Sequence, residues 1–442
     1  MTDAAHMPGT MPNAYQPGKG NLSKADQDLV ARRQKAMGPA YRLFYETPVH
    51  LVRGEGVWLY DTAGKAYLDT YNNVASVGHC HPHVVAAMAR QAGVFASHTR
   101  YLHDGILTYA ERLLAHFPAA LSHVMFTCTG SEANDLAFRI ACAHTGGTGF
   151  IVTENAYHGV TYAIAGMSPS LGSGVDLGQH VRVVPAPGTG PDTGAVFAAG
   201  VEAAIRDLQR HGIKPAALIV DTVFSSDGVF TEPAGFLAPA VAAIRAAGGL
   251  FIADEVQPGF GRTGAAMWGF QRHGLVPDMV SLGKPMGNGY PVAGLVMQPG
   301  VIEAFGAKAR YFNTFGGNAV AAATAMAVLE VIEGEGLMAN CAQVGSVFAD
   351  GLKGMAKSHA ALGELRAVGL FLGQDIVDDN GNPDAGRAGQ IVNRLRDEGV
   401  LISATGPKGH VLKIRPPMVF SPDNVAFFLE RLDKVLKARL TR

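Results

Sequence analysis

Hydrophobic and polar positions alternate every second residue in the segment 54–69 (GEGVWLYDTAGKAYLD), a period typical of β-strands. Thr62, Ala63 and Gly64 interrupt this alternation, so the segment predicts a β-hairpin that turns there. Further along, short apolar runs predict strands at 123–128, 149–153, 181–184, 217–221, 249–254, 279–282 and 293–297. Between several of these runs lie alanine-rich amphipathic segments, such as 199–210 and 237–247, which predict helices.

This succession of strands and helices predicts an α/β fold with a mostly parallel central sheet and helices on both of its faces. A long helical pattern at 319–332 leads away from the sheet, and a smaller α/β set follows, with strands expected within 368–376 and 410–418. We therefore expect an N-terminal arm and hairpin belonging to a small lobe (1–70), a large domain (71–332) and a small C-terminal α/β domain (333–442). Residues 1–24 are expected to form a loose arm that is ordered only where a partner surface covers it.

Composition narrows the function classes. The 442 residues are 48% hydrophobic and 17% charged, which suits a large buried core. The formal net charge of −1 gives no basic excess, so a nucleic-acid partner is not expected. Four cysteines without a C-x-x-C pair suit a reducing compartment. The polar N-terminal stretch resembles neither a signal nor a transit peptide, and no run of about 18 apolar residues occurs, so we expect a cytoplasmic protein without a membrane segment.

A cluster of potential metal ligands occurs at His79, Cys80, His81 and His83. Side chains of adjacent residues point apart, so these four cannot readily close one tetrahedral site. We expect them to pack in a loop, and we expect no metal.

One segment suits an anion. A predicted strand ends at Cys128, and Thr129 and Glu132 have the spacing of a capping box, so a helix should begin at the Gly130–Ser131 turn. Free backbone N–H groups at such a helix start suit a phosphate. An ordinary capped helix would explain the same pattern.

Two further segments carry groups that could move protons. Asp254 and Glu255 end a buried strand, at the edge where parallel sheets bind ligands, although a strand-end Asp can also simply cap a turn. Lys284 follows another strand among three glycines, where partial burial would lower the pKa of its amine and make it a nucleophile. A lysine in a loop is more often solvated. Lys284 is a candidate for chemistry only because Asp254 ends the preceding strand.

Taken together, these motifs resemble the class III (omega-type) aminotransferases, which use pyridoxal 5′-phosphate (PLP) and have the aspartate-aminotransferase type of fold, PLP fold type I. The resemblance covers roughly residues 43–436 and rests on NNVASVGHCHP, TGSEAND, AYHG, FIADEVQPGFGRTG, GKPMGNGYPVAG, FNTFGGN and VLKIRPPM. It implies that the domain 71–332 is the one that binds PLP.

The resemblance also implies roles for individual residues. Lys284 would form the Schiff base with PLP and Asp254 would pair with the pyridine nitrogen, so these two are the predicted catalytic residues. Thr314 would reach the phosphate bound by the neighbouring subunit, which implies a homodimer with active sites at the interface. The remaining implied cofactor contacts are Gly130 and Ser131 at the phosphate, Tyr157 and His158 at the ring, and Gln257 near the ring hydroxyl.

The sequence departs from the family pattern where substrates with two carboxylates are recognised. In IVDTVFSSDG, Asp221 and Ser226 replace the two glutamates of E-P-x-x-G-E, the second of which gates an arginine in the C-terminal domain. Lys413 stands at that arginine position, with Arg415 two residues further on. Because lysine lacks the bidentate fork of arginine, chemistry with 2-oxoglutarate is not expected.

The same departures resemble a narrower subgroup, the ethanolamine-phosphate phospho-lyases and their alanine-glyoxylate aminotransferase 2-like relatives. The substrate-binding candidates are Lys413, Arg415 and Arg42, and basic side chains at Arg32, Arg33 and Lys35 could also hold a phosphate, although charges on a helical arm are usually solvated. The first expectation is a transaminase that moves an amino group from a primary amine or amino acid to a pyruvate-type keto acid. The alternative is a phospho-lyase acting on O-phosphoethanolamine-like amines, and a more remote one is a PLP-binding protein without turnover.

Overall fold

The computed structural model describes residues 13–438. The helices in this range are α1 (Lys24–Met37), α2 (Pro82–Ala92), α3 (Asp104–Leu114), α4 (Gly130–Thr145), α5 (Tyr162–Ala165), α6 (Thr193–Arg210), α7 (Ala238–Ala246), α8 (Pro299–Lys308), α9 (Ala319–Gly334), α10 (Leu337–Ala356), α11 (Ala385–Asp397) and α12 (Pro422–Lys437). None of the helices in the described range is both long enough and apolar enough to cross a membrane.

The strands of the described range are β1 (Leu51–Glu55), β2 (Trp58–Asp61), β3 (Ala66–Asp69), β4 (His123–Thr127), β5 (Gly149–Thr153), β6 (Val181–Val184), β7 (Pro215–Asp221), β8 (Leu250–Asp254), β9 (Met279–Leu282), β10 (Ala293–Met297), β11 (Leu362–Val368), β12 (Phe371–Ile376), β13 (Val400–Leu401), β14 (Ser403–Thr405) and β15 (Val411–Ile414). The predicted runs match β4 to β10 to within two residues at each end.

Seven of these strands form the central sheet in the order β4-β10-β9-β8-β7-β5-β6. Neighbours from β9 to β6 pair in parallel, and β10 runs antiparallel to both β9 and β4. The predicted α/β fold with a mostly parallel sheet is therefore confirmed. Because consecutive strands jump across the sheet through helices, the carboxyl ends of β7, β8 and β9 share one edge.

Side chains along each central strand alternate between two hydrophobic cores, one on each face of the sheet. Phe251 belongs to the cluster that includes residues of α6, α7 and α9, whereas its neighbour Ile252 belongs to the cluster that includes residues of α4 and α8. All five residues of β8 are buried, as are all five of β5. Burial on both faces explains why these strands are apolar at consecutive positions.

Two smaller sheets flank the central one. The predicted hairpin is confirmed as β2 and β3, which extend to β1 on one side and pair in parallel with β13 on the other, with Leu68 opposite Val400. The other sheet has the order β11-β12-β15-β14, which confirms the second α/β set. The N-terminal hairpin is thus joined to a strand from the C-terminal part of the chain, while the three domain boundaries stay predictions.

The prediction of a loose N-terminal arm is wrong at residues 13–15. The amide of Tyr15 donates to Leu43 O and the amide of Tyr45 donates to Asn13 O, both at 2.7 Å. The side chain of Asn13 is buried and accepts a hydrogen bond from Ser403 Oγ at 2.9 Å. These bonds fix this part of the arm to its own chain, so no partner surface is needed there; residues 1–12 lie outside the described range.

Candidate active site

A cavity of about 340 Å³ opens at the shared edge of the central sheet. Asp221 ends β7, Asp254 ends β8 and Lys284 follows β9, and all three line the cavity together with the N-terminus of α4. The structure brings together these predicted cofactor residues, all in the cavity wall: Gly130, Ser131, Tyr157, His158, Asp254, Gln257 and Lys284.

The N-terminus of α4 forms one end of the cavity. Thr129 caps the helix as predicted, because its hydroxyl accepts the amide of Glu132 at 3.1 Å. A Cβ on Gly130 would lie 2.8 Å from a methyl group of Val256, so only glycine lets the chain pass here. The free amides and the positive end of the helix dipole therefore face the cavity without a side chain over them.

Ser131 ties the helix start to the loop after β5. Its hydroxyl accepts the amides of Val160 at 2.7 Å and Thr161 at 2.9 Å. The loop can approach this closely because Gly159 has φ +140° and no Cβ, which would otherwise lie 2.4 Å from Ser131 Oγ. Ser131 thus fixes the loop that carries Tyr157 to the anion-binding end of the cavity.

Asp254 is held as a carboxylate at the floor of the cavity. One of its oxygens lies 2.7 Å from His158 Nδ1 and accepts Asn134 Nδ2 at 2.9 Å, and the other accepts the amide of Val256 at 3.1 Å. Burial raises the pKa of Asp254, but the hydrogen bonds and charge of His158, with those of Asn134 and Val256, outweigh it and bring the pKa below its usual value.

Lys284 faces Asp254 across the cavity with its amine largely shielded from water. Burial and the charge of Arg415 lower the pKa of Lys284 to about 8, although Asp254 and Asp221 act in the opposite direction. The ammonium nitrogen lies 5.9 Å from the centroid of the Tyr157 ring. A neutral amine is therefore accessible near pH 8, as a nucleophile or a general base requires.

Lys413 lies on β15 and Arg415 just after it, and neither residue is part of the cavity wall. Both are buried. Arg415 Nη1 donates to the side-chain oxygen of Gln257 and, at 3.0 Å, to that of Asn73, and its guanidinium lies 4.5 Å from the centroid of the Tyr71 ring. Burial and the charge of Arg415 keep the pKa of Lys413 well below its usual value.

Two further predicted residues, Thr314 and Arg42, are also absent from the cavity wall of this chain. Thr314 is exposed in the loop before α9, beside Phe315, whose side chain is 69% exposed. Arg42 is exposed in the loop after α1. Neither contributes to the cavity wall of its own chain, so their roles at a subunit interface or with substrate stay predictions.

Asn134, the residue that orients Asp254, was not predicted from the sequence. Its amide donates both to Asp254 and to the main-chain oxygen of His158, at 2.9 and 2.8 Å. A signal was present, because Asn134 is polar on the buried face of α4, next to Ala133 and near Ala137. A polar residue on a buried helix face requires a partner, and that requirement could have marked it.

The histidine-rich loop pairs with carboxylates. His79 lies 2.7 Å from an oxygen of Asp69, while His81 and His83 contact two glutamates on or just after α9, Glu335 at 3.0 Å and Glu330 at 2.7 Å. The three rings therefore face three different partners. Within residues 13–438 no group of three or more such side chains could hold a metal ion.

The cavity fits the groups that PLP carries. The helix N-terminus at Gly130 suits the phosphate, anionic Asp254 suits a protonated pyridine nitrogen, and Lys284 suits the aldehyde. The half-exposed ring of Tyr157 offers a flat face to an aromatic ring.

Comparisons with known proteins agree with this geometry. The family described as Aminotransferase class-III matches residues 43–436. The chain is 37% identical to an "Alanine--glyoxylate aminotransferase 2-like" protein of Drosophila melanogaster, over 97% of this chain and 92% of that protein. It is 34% identical to "Ethanolamine-phosphate phospho-lyase homolog 1" of Caenorhabditis elegans, over 93% of this chain and 94% of that protein.

A solved structure extends the similarity to three dimensions. A phospholyase from Arthrobacter in complex with phosphoethanolamine is 41% identical, with a TM-score of 0.91 over 93% of this chain and 100% of that chain. The match confirms PLP fold type I, as expected from the sequence. The chain therefore belongs to the class III aminotransferase family, and its cofactor is pyridoxal 5′-phosphate.

Proposed function

We propose that this protein is a PLP-dependent phospho-lyase that releases phosphate from O-phosphoethanolamine or a similar 2-phosphorylated primary amine. The observation that carries the proposal is Lys413, which stands where related transaminases have an arginine. Its side chain is buried, and among residues 13–438 no hydrogen bond of its ammonium group is found, while the carboxyl groups of Asp221 and Asp227 act on it electrostatically. A phosphate dianion would give the ammonium group a strong hydrogen-bond acceptor and favour its protonated form.

The loss of the carboxylate gate supports the same proposal. Ser226 replaces the gating glutamate and Lys413 replaces the arginine that it gates, so both residues of the gate are changed. A lysine is a compact point charge that binds phosphate well but does not present two parallel donors to a carboxylate. The sequence alone favoured a transaminase over a phospho-lyase, and the proposal made here favours the phospho-lyase. It also agrees with the 41% identity to a phospholyase structure that contains phosphoethanolamine.

Some residues of the cavity act on the cofactor and others act on the substrate. When bound, PLP supplies an electron-withdrawing ring that stabilises negative charge on the carbon next to the substrate nitrogen. Lys284, with a pKa of about 8, removes a proton from that carbon. Asp254 keeps a proton on the ring nitrogen, and His158 and Asn134 hold Asp254 in its anionic form.

In this proposal Lys413, which interacts electrostatically with the cavity residues Asp221 and Lys284, acts on the leaving group. The electron pair released from the C–H bond forms a new C=C bond as the C–O bond to phosphate breaks, so phosphate departs with the electrons of that bond. Addition of water then gives acetaldehyde, ammonia and inorganic phosphate from O-phosphoethanolamine. A cation at the phosphate stabilises charge that grows as the bond breaks, so it lowers the barrier as well as binding substrate.

The direct test is to incubate the purified holoenzyme with O-phosphoethanolamine in the absence of any keto acid and to assay phosphate and acetaldehyde. We expect both in equal amounts over many turnovers. Lys413→Met should lower kcat/KM strongly and Lys413→Arg less, while Lys284→Ala should abolish the reaction. Phosphate release that persists in Lys284→Ala would contradict the role of Lys284 in either enzyme reaction, and absence of phosphate from the unmodified holoenzyme would refute the lyase.

Transamination is the second candidate, favoured by the relative named as an alanine-glyoxylate aminotransferase 2-like protein. Lys284 could also move the proton from the substrate carbon to the cofactor, which leads to amino transfer instead of elimination. Loss of the visible absorption on addition of a simple amine, and its recovery with pyruvate, would identify this activity.

We also propose that the active unit is a homodimer in the cytoplasm. Exposed apolar side chains support the dimer, namely Val160, which lines the cavity, with Tyr162, Leu102 and Phe315, at 63%, 99%, 100% and 69% exposure. A mixture of Thr314→Ala and Lys284→Ala subunits tests for shared sites. Because each mixed dimer would keep one intact site, activity should reappear on mixing, and its failure to do so would refute shared sites.

A further inference from the structure

The predicted role of Arg415 is to bind substrate, but its contacts point elsewhere. The guanidinium is buried and stacked on Tyr71, and its Nη1 donates to the side-chain oxygens of Gln257 and Asn73. Its backbone amide donates to Thr70 O at 2.9 Å, which fixes the end of β15. The arginine is therefore anchored on several sides to its own chain.

The contact with Gln257 determines how that amide is oriented. A guanidinium has only donors, so the atom of the Gln257 amide that faces Arg415 must be its oxygen. The amide NH2 then points away from Arg415. Gln257 lines the cavity, and no hydrogen bond of its side-chain nitrogen occurs among the described residues.

We propose that Arg415 is a positioning residue, which holds the oxygen of Gln257 so that the amide NH2 is presented as a donor to the PLP in the cavity. An amide without this anchor can turn by 180° and present its oxygen instead, at little cost. The inference rests on the cofactor and is independent of whether the reaction is elimination or transamination.

The acceptor follows from the chemistry of the cofactor. The N-terminus of α4 suits the phosphate, Asp254 suits the protonated ring nitrogen, and Lys284 suits the aldehyde carbon. The remaining strong acceptor on the PLP ring is its phenolic oxygen, which is anionic in the active form. A fixed N–H donor stabilises that anion, whereas an amide oxygen turned towards it would repel it.

The test is a double-mutant cycle with Arg415→Met and Gln257→Ala, read from the visible absorption of the bound cofactor against pH. Removing a donor or a nearby cation destabilises the deprotonated chromophore, so its titration midpoint should rise. We expect Arg415→Met to raise the midpoint by about one pH unit when Gln257 is present and by much less in the Gln257→Ala background. Equal shifts in the two backgrounds would show that Arg415 acts through its charge alone and would overturn the proposal.

Gln257→Glu provides a second test that keeps the shape of the side chain, so it remains informative if Arg415→Met does not fold. The carboxylate still gives Arg415 an oxygen but has no N–H for the cavity. We expect the midpoint to rise at least as much as in Gln257→Ala, with a weaker affinity for PLP. An unchanged midpoint would mean that Gln257 presents no donor to the cofactor, and the proposed orientation of the amide would be wrong.

Discussion

The amine of Lys284 should destabilise the protein when PLP is removed, and replacing it with methionine should relieve that effect. The pKa of Lys284 is about 8 in the folded chain and 10.5 for an unperturbed lysine. The difference of 2.5 units corresponds to about 3 kcal/mol, because one unit is worth about 1.4 kcal/mol. Methionine has a similar length and no charge, so it fills the same space without the cost of burying an ammonium group.

The sign of the effect sets its pH dependence. Below pH 8 both the folded and the unfolded chain carry the proton, and the folded state bears the full penalty. Between pH 8 and 10.5 the folded chain releases its proton first, so the unfolded state binds more protons and stability rises with pH. Above that window the penalty disappears. The advantage of Lys284→Met should therefore be greatest at pH 7 and shrink as the pH rises from 8 to 10.5.

Thermal unfolding of the two apoproteins gives the measurement. An unfolding entropy of about 2.1 cal/mol/K for each of 442 residues gives roughly 0.9 kcal/mol/K, so 3 kcal/mol should raise Tm by about 3 to 4 °C at pH 7. Lys308→Met, at an exposed lysine of α8, serves as the matched control and should leave Tm nearly unchanged. A gain that is the same at pH 7 and pH 10 would come from packing and would refute the electrostatic reasoning.

Three further predictions concern the surroundings of the cavity. Asn134→Leu removes a donor to Asp254 and should weaken PLP binding by roughly 10-fold, which titration of the apoprotein can measure. Gly159→Ala places a methyl group against Ser131 and forces an L residue to φ +140°, so the purified protein should retain less PLP, as its absorption spectrum will show. Asp227 is buried with a pKa of about 7, so its ionisation costs stability as pH rises from 3.8 to 7; Asp227→Asn should raise Tm by roughly 4 °C at pH 8 and by little at pH 4.

The part of the site that lies at the sheet edge could be predicted from the sequence. Asp254 ends one apolar strand and Lys284 follows the next, and the carboxyl ends of adjacent parallel strands lie at the same edge, so the two side chains had to lie close together. Gly130 could be placed for a similar reason, because a capped helix that follows a strand begins at the same edge. Strand ends and helix caps are local signals, and for these three residues local signals were sufficient.

Contacts between distant segments could not be predicted in this way. Arg415 and Gln257 are 158 positions apart in the chain, and their contact depends on how β15 packs against the turn after β8. The pairing of Asn13 and Tyr15 with the segment 43–45 was missed for the same reason, since it uses backbone groups that carry no sequence signal. The residue types suggested candidates for substrate binding, but only the packing showed that Arg415 is already committed to Gln257.

The surroundings of Ser226 support the proposal that the altered gate is a fixed anion site. A gate requires a side chain that can swing between two partners. The main-chain oxygen of Ser226 instead accepts hydrogen bonds from the side chains of Asn155 and Thr405 and, at 3.2 Å, from the amide of Gly406. These bonds fix the segment between strands of both lobes, and the negative charges that act on Lys413 come from Asp221 and Asp227 and not from the short side chain of Ser226. A buried lysine beside this loop suits one small, highly charged group better than alternating carboxylates of two lengths, which supports the proposed elimination of phosphate.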